Sequence, residues 1–153
     1  MEVEVIEKLI TLDEIELLRE PLEKLHEYHN SKSEYFSGDY PRLTFEDRIR
    51  HYRENARFGE YRIELLFETN TMHLIAFSVV YAKKSSGKIE VLYVDEGYRS
   101  NNLGTKLMDN VIKWFSEKNI YDIELKVVYG NQAVSFYEKF GFLPRSVIMG
   151  TKT

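Results

Sequence analysis

The sequence predicts an α/β fold built on a mixed sheet. Three observations carry that expectation: helical patterns dominate before residue 60, three consecutive strand patterns follow, and the remainder alternates helix, strand, helix, strand. At 153 residues the chain has the length of a single domain, 1–153, with enough material for a core that needs neither disulfides nor metals. It is 43% hydrophobic and 30% charged, a balance that supports a packed interior and argues against global disorder.

Val3 and Val5 share one face of a short strand, and Thr11 followed by Glu14 has the spacing of a capping box, so a helix is expected next. Leu12, Ile15, Leu18, Leu22 and Leu25 continue an apolar stripe at helical spacing. Pro21 has no amide to donate, so this helix either kinks or restarts with Pro21 in a first turn. Residues 31–41 read as a loop in which Gly, Pro, Ser and Asp accompany three aromatic side chains. Thr44 is placed to cap a second helix reaching about Phe58.

The runs YRIELLFE, MHLIAFSVVYA and KIEVLYV, separated by polar turns at 68–71 and 85–87, predict an antiparallel meander. A helix then begins near Leu103, carries Leu107, Val111, Trp114 and Phe115 on one side, and ends near Asn119. DIELKVV supplies another strand. Asn131 can cap a short helix through Phe140, Gly141 can end it, and residues 142–149 are expected to form a last strand interrupted by Pro144.

The sequence contains no cysteine, which removes thiol nucleophiles, disulfides and thiolate metal sites and fits a reducing, cytoplasmic setting. The start, MEVEVIEKLI, alternates acidic and apolar side chains, unlike a secretory leader, and the longest apolar stretch, 74–82, is too short to span a membrane. A formal charge of -4 offers no general attraction to phosphate backbones. Neither a nucleic acid nor a membrane is therefore an expected partner. Chemistry must come from oxygen and nitrogen groups.

The order strand, YRSNNLG, helix is the most informative local feature, because exposed amides at a helix start bind phosphate oxygens with help from the helix dipole. Gly104 lets backbone approach a ligand closely, and Asn101 and Asn102 tolerate left-handed conformations. Taken alone, an ordinary strand-to-helix turn is an equally good reading.

Two separated segments make the pattern more specific. IEVLYVDEGYRSNNLGTKLM resembles the fourth strand and pyrophosphate loop of the GNAT family of N-acetyltransferases. NQAVSFYEKFGF, with Asn131, Ala133, Phe136, Tyr137, Lys139, Gly141 and Phe142 in matching places, resembles the same family's exit from its fifth strand and the helix that follows. The resemblance implies the acyl-CoA N-acyltransferase fold, a mixed central sheet of about six or seven strands flanked by about four helices. It further implies acetyl-CoA as co-substrate, no metal, and an acceptor that is the primary amine of a small molecule or peptide. The amine would attack directly, through a tetrahedral intermediate.

In such a site pantetheine would lie between strands 89–94 and 123–128, against Leu92, Tyr93 and Val94. The amide of Leu92 could polarise the acetyl carbonyl. The pyrophosphate would meet Arg99, Ser100, Asn101, Asn102, Leu103, Gly104 and Thr105, with further cofactor contacts from Asn131, Phe136, Tyr137 and Lys139. Asn102 stands where the family loop usually has its first glycine. The matching tyrosine of family members commonly donates to the departing sulfur, which gives Tyr137 the catalytic role; packing as a core aromatic is the competing reading.

Glu90, two positions before Leu92 and hence expected on its strand face, could accept the amine proton through water; pairing with a lysine is an equally ordinary outcome. His29, Tyr35, Phe36 and Glu90 are expected to line the acceptor site, with His26, Glu34, Asp39 and Tyr40 nearby. The loop aromatics could equally cap the core. His26 and His29 lack a third ligand at characteristic spacing, so a metal is not expected there. A non-catalytic acyl-CoA-binding module, or an interaction protein with an empty cleft, remains the alternative to an enzyme. The sequence does not specify the acceptor, the acyl chain length, the base, the effect of Asn102 or the oligomeric state; family members often dimerise through late strands, which allows a homodimer.

Overall fold

The computed structural model describes residues 3–152. Five strands form one sheet in the order β1-β2-β3-β4-β5. The runs rich in β-branched and aromatic residues become β1 (Val5–Ile10), β2 (Glu60–Glu68), β3 (Leu74–Lys83) and β4 (Ser86–Val94), each antiparallel to the next. β5 (Asp122–Leu125) runs parallel to β4, because the chain returns to the start of the sheet through a crossover helix. That helix is α3 (Leu103–Glu117); α1 (Arg19–Lys32), α2 (Phe45–Asn55) and the short α4 (Ala133–Glu138) complete the helical set.

Each sheet face has its own apolar layer. On one, Leu103, Leu107, Met108, Val111 and Phe115 of α3 pack against Ala76, Val80, Ile89 and Val94. On the other, Leu18, Leu22, Leu25 and Tyr52 cover Ile63, Leu65, Phe77, Val79, Val91 and Tyr93. Each such large side chain contributes about 1.5–3 kcal/mol by leaving water. One charged group interrupts the α3 layer: Glu64 of β2, 1% exposed, accepts from Asn110 Nδ2 at 3.0 and 3.2 Å and from Arg62 Nη1 at 3.1 Å. These bonds replace its lost hydration and register α3 on β2.

Several sequence expectations change. Thr11 makes no side-chain cap, and the segment Leu12–Leu18 winds as a 3-10 helix before α1 restarts with Pro21 in its first turn. Thr44 does cap α2, its Oγ1 accepting from the Asp47 amide at 3.0 Å. Among the described residues the sheet has five strands rather than six or seven. β5 stops at Leu125 instead of Val128, and residues 142–149 form no strand. Pro144 cannot donate to a ladder, and the segment instead lies beside β5 through Arg145, whose guanidinium is 3.6 Å from both Asp122 and Glu124.

Candidate active site

The site begins with an extra residue in β4. Val79 faces Val91 and Val80 faces Ile89, leaving Glu90 without an opposite residue in a β-bulge. The parallel ladder with β5 ends at the same level, on the pair Ile89↔Leu125. Beyond it, β4 keeps β3 on one side and has an open edge on the other. The Asp95 amide donates to Ile75 O at 2.8 Å, so antiparallel alternation directs Tyr93 toward β3 and the N–H and C=O groups of Leu92 and Val94 toward the open edge. Arg99 Nε occupies the Val94 carbonyl at 2.9 Å.

The bulge also corrects the expected placement of Glu90. Leu92 and Val94 pack in the α3 layer, whereas Val91 and Tyr93 pack in the layer under α1 and α2. The extra residue breaks the two-residue alternation and puts Glu90 on the side of Val91 rather than of Leu92. There its charge raises the phenol pKa values of Tyr52, Tyr61 and Tyr81, in each case after the larger effect of burial. Glu90 itself is largely enclosed and pairs with Lys88 Nζ at 3.2 Å.

The turn after β4 is a 3-10 helix, Glu96–Asn101, containing Arg99 and Ser100; Asn101 Nδ2 donates to Tyr98 O at 3.3 Å. Asn102 follows with φ 59° and ψ 20°, a left-handed conformation that Asn adopts more easily than most residues. No side chain caps α3, so the amides of its first turn, Leu103, Gly104 and Thr105, stand without a capping acceptor at the positive end of the helix dipole. Gly104 is needed for packing as well as for backbone approach: a Cβ there would stand 3.2 Å from the Phe136 ring. This joins the turn directly to α4.

Tyr28 ties the parts together. The Arg99 guanidinium lies 4.1 Å from its ring centroid, and its hydroxyl donates to Asn131 Oδ1 at 3.3 Å. Burial raises the Tyr137 pKa to about 12, so its phenol stays protonated near neutral pH. Tyr137 sits on α4, its ring edge-on to Phe136 and Phe142. Asn131 Oδ1 also accepts from the Ala133 amide at 3.0 Å, fixing the start of α4. Lys139 is exposed just past the helix.

The residues expected around the acceptor divide into two groups. Tyr35 stacks on Tyr129 at 5.9 Å, and Phe36 packs on Gly150 and under Lys152. His29 meets the Tyr40 ring edge-on at 5.5 Å, in a loop pinned by Asn30, which accepts from the Gly38 and Tyr40 amides and donates to Tyr40 O. His26 and His29 are both held neutral, first by burial and then by the charge of Arg48; the His26 pKa falls to about 4. Among the described residues no group of three or more His, Asp or Glu side chains is placed to hold a metal ion.

Tyr28, Arg48 and Glu64 were not singled out from the sequence. Tyr28 does extend the Leu22, Leu25 stripe by three residues, a signal that marks it as inward-facing. Nothing local marks the other two.

The splayed edge, the uncapped helix after an Arg-containing turn and the half-buried tyrosine on the last helix together correspond to a known family. A model of the acetyltransferase (GNAT) family matches residues 24–142. The chain belongs to this family, and is an acetyltransferase by that membership. Similar solved structures include a Trypanosoma brucei acetyltransferase, 18% identical with a TM-score of 0.67 over 98% of this chain and 100% of that one. Glucosamine-6-phosphate N-acetyltransferase from Arabidopsis thaliana is 20% identical, with a TM-score of 0.65 over 97% and 98%. An aminoglycoside acetyltransferase from an uncultured soil metagenomic sample is 13% identical, with a TM-score of 0.62 over 97% and 95%. At these identities the likeness shows the GNAT fold. No curated protein matches the sequence.

Proposed function

We propose that the chain, as one domain over 1–153, is an acetyl-CoA-dependent N-acetyltransferase that acts on the primary amine of a small molecule or peptide. The observation that carries the reading is the open edge of β4 beyond Glu90, where backbone groups of Leu92 and Val94 face a gap beside β5. The donor set fits acetyl-CoA: strand groups for a pantetheine amide, free first-turn amides of α3 for a pyrophosphate, and a protonated phenol on α4. Acetyl-CoA supplies the acetyl group as a thioester. As the amine nitrogen bonds to the carbonyl carbon, the Leu92 amide stabilises the charge developing on oxygen. The C–S bond then breaks and Tyr137 Oη donates a proton to the departing sulfur. Glu90, near the gap and held by Lys88, receives the proton from the amine through water. Holding both reactants in line supplies much of the rate without a covalent enzyme intermediate.

No helix among the described residues is long and apolar enough to cross a membrane. A cytoplasmic setting belongs to the same reading, on the cysteine-free sequence. So does a homodimer through the apolar segment beside β5, where Leu143, Val147, Ile148 and Met149 are 69–87% exposed.

Calorimetric titration with acetyl-CoA, with desulfo-CoA and ATP as comparison ligands, tests the cofactor site without knowledge of the acceptor. Saturable binding that weakens in Arg99→Ala is expected, followed by thiol release when amines are added. Folded, CoA-free protein that does not bind would overturn the reading, and binding without turnover over a broad amine panel would favour a non-catalytic module.

A further inference from the structure

Arg48 is a half-buried residue of α2 that reaches across to α1. Its Nη1 donates to Tyr52 Oη at 3.3 Å and its Nη2 is 3.5 Å from His26 Nε2. Both partners are neutral. Among the described residues no carboxylate lies within ion-pair distance of it, although the other three arginines of α1 and α2, Arg19, Arg50 and Arg53, each have one. A partly desolvated guanidinium with neutral partners keeps its full charge and most of its five donors for another acceptor.

Its position gives that vacancy a meaning. The Tyr52 phenol bonded to Arg48 is also within the field of Glu90, the bulge residue where β4 and β5 part. His29, whose pKa the Arg48 charge lowers, is the residue that meets Tyr40 in the loop over α1. Arg48 thus links His26, one turn before the His29 that meets Tyr40, to Tyr52, which packs in the same layer as Val91 beside the bulge.

We propose that Arg48 anchors an oxyanion, a carboxylate or a phosphate, carried by the acceptor amine. The inference rests on the N-acetyltransferase reading and narrows its substrate class to amines with an anionic group. Planar guanidinium donors match both oxyanions in a two-pronged geometry, and a charge-assisted bond away from bulk water is stronger than one between neutral groups. Its two hydrogen-bond partners, His26 and Tyr52, are neutral, so neither occupies it as a paired carboxylate would.

The test reads the site directly. Ring resonances of His26 and His29 are followed by NMR at pH 7 while the protein is titrated with inorganic phosphate and, separately, with acetate. Saturable shifts with at least one ion are expected, lost in Arg48→Gln and retained in Arg99→Gln, which removes the cationic side chain of the proposed pyrophosphate turn. Which ion acts distinguishes phosphate from carboxylate acceptors. No saturable shift with either ion, or shifts that vanish in Arg99→Gln but persist in Arg48→Gln, would overturn the proposal. Kinetics supply a second reading: phosphoethanolamine against ethanolamine, and β-alanine against its amide. The anionic member of the favoured pair is expected to have a kcat/KM about tenfold higher, an advantage that Arg48→Gln removes through KM. Equal use of charged and neutral members overturns the proposal even if turnover is sound. Failure of the transferase reading instead appears as no acetyl-CoA binding, with the histidine shifts intact.

Discussion

β4 behaves differently along its two edges. Against β3 it is paired from Ser86 to Val94, with only the bulge at Glu90 interrupting the ladder; against β5 it is paired over four residues and then opens. The closed edge and its layers supply stability, whereas the open edge leaves unmet backbone groups that a ligand can complete. The difference arises from one residue. By adding Glu90, the chain increases local twist and reverses the side-chain alternation, so that β4 departs from β5 where chemistry is proposed and a carboxylate appears beside the gap.

If the paired part is structural, the largest effects on stability should come from its packing. Phe115→Ala removes a fully buried ring from the α3 layer and is expected to cost about 3–5 kcal/mol in urea unfolding. Gly87→Ala probes the same contact from the strand side, since its Cβ would stand 2.5 Å from Phe115 Cε1, and about 1–3 kcal/mol is expected. Little loss in either variant would mean that the closed edge is more yielding than its burial implies.

Tyr137→Phe addresses the open edge. The phenol is expected to donate a proton without making a bond that the fold requires, so kcat should fall about a hundredfold while the urea midpoint and acetyl-CoA affinity hold. A large fall in stability with unchanged kcat would return Tyr137 to the core.

The two sides should also differ in their response to acid. Folding lowers the His26 pKa from 6.5 to about 4, so the unfolded chain takes up a proton that the native state refuses between those values. The His26 contribution is therefore fully present above pH 6.5 and is lost as pH falls toward 4. Because the ring is partly exposed, the effect is about 1 kcal/mol after solvent screening. Urea midpoints measured from pH 7 to 4 should fall more in the native protein than in His26→Gln; parallel curves would remove His26 as the cause.

These contrasts also mark what the sequence could tell. β2, β3, β4 and α3 were legible because each buries a regular apolar pattern, and the turn before α3 was legible because its residues are contiguous. Residues 142–149 misled because Val147, Ile148 and Met149 look like strand material, yet strand formation also requires a ladder partner and tolerable donors. The bulge at Glu90 carries no local signature, since only the register with β3 reveals the extra residue. Tyr28 and Asn131 are 103 positions apart, and Arg48 gains its significance from having no carboxylate within ion-pair distance among the described residues, which only folding determines.

Asn102 offers the smallest and most discriminating change. Its φ of 59° lies where glycine is free and most side chains are strained, yet Asn bears that geometry at modest cost. Asn102→Gly removes the residual strain but also loosens the unfolded chain, and the opposing effects should leave stability within about 0.5 kcal/mol of the native protein. Asn102→Ala has no such compensation and should lose about 1 kcal/mol. Acetyl-CoA affinity then separates conformation from chemistry. If the position only shapes the turn, Gly should bind within about threefold of Asn, because the same amides of Leu103, Gly104 and Thr105 remain available. A tenfold loss in the glycine variant, at unchanged stability, would instead make the Asn102 amide a ligand of the cofactor, and the departure from glycine a gain in binding rather than a tolerated defect.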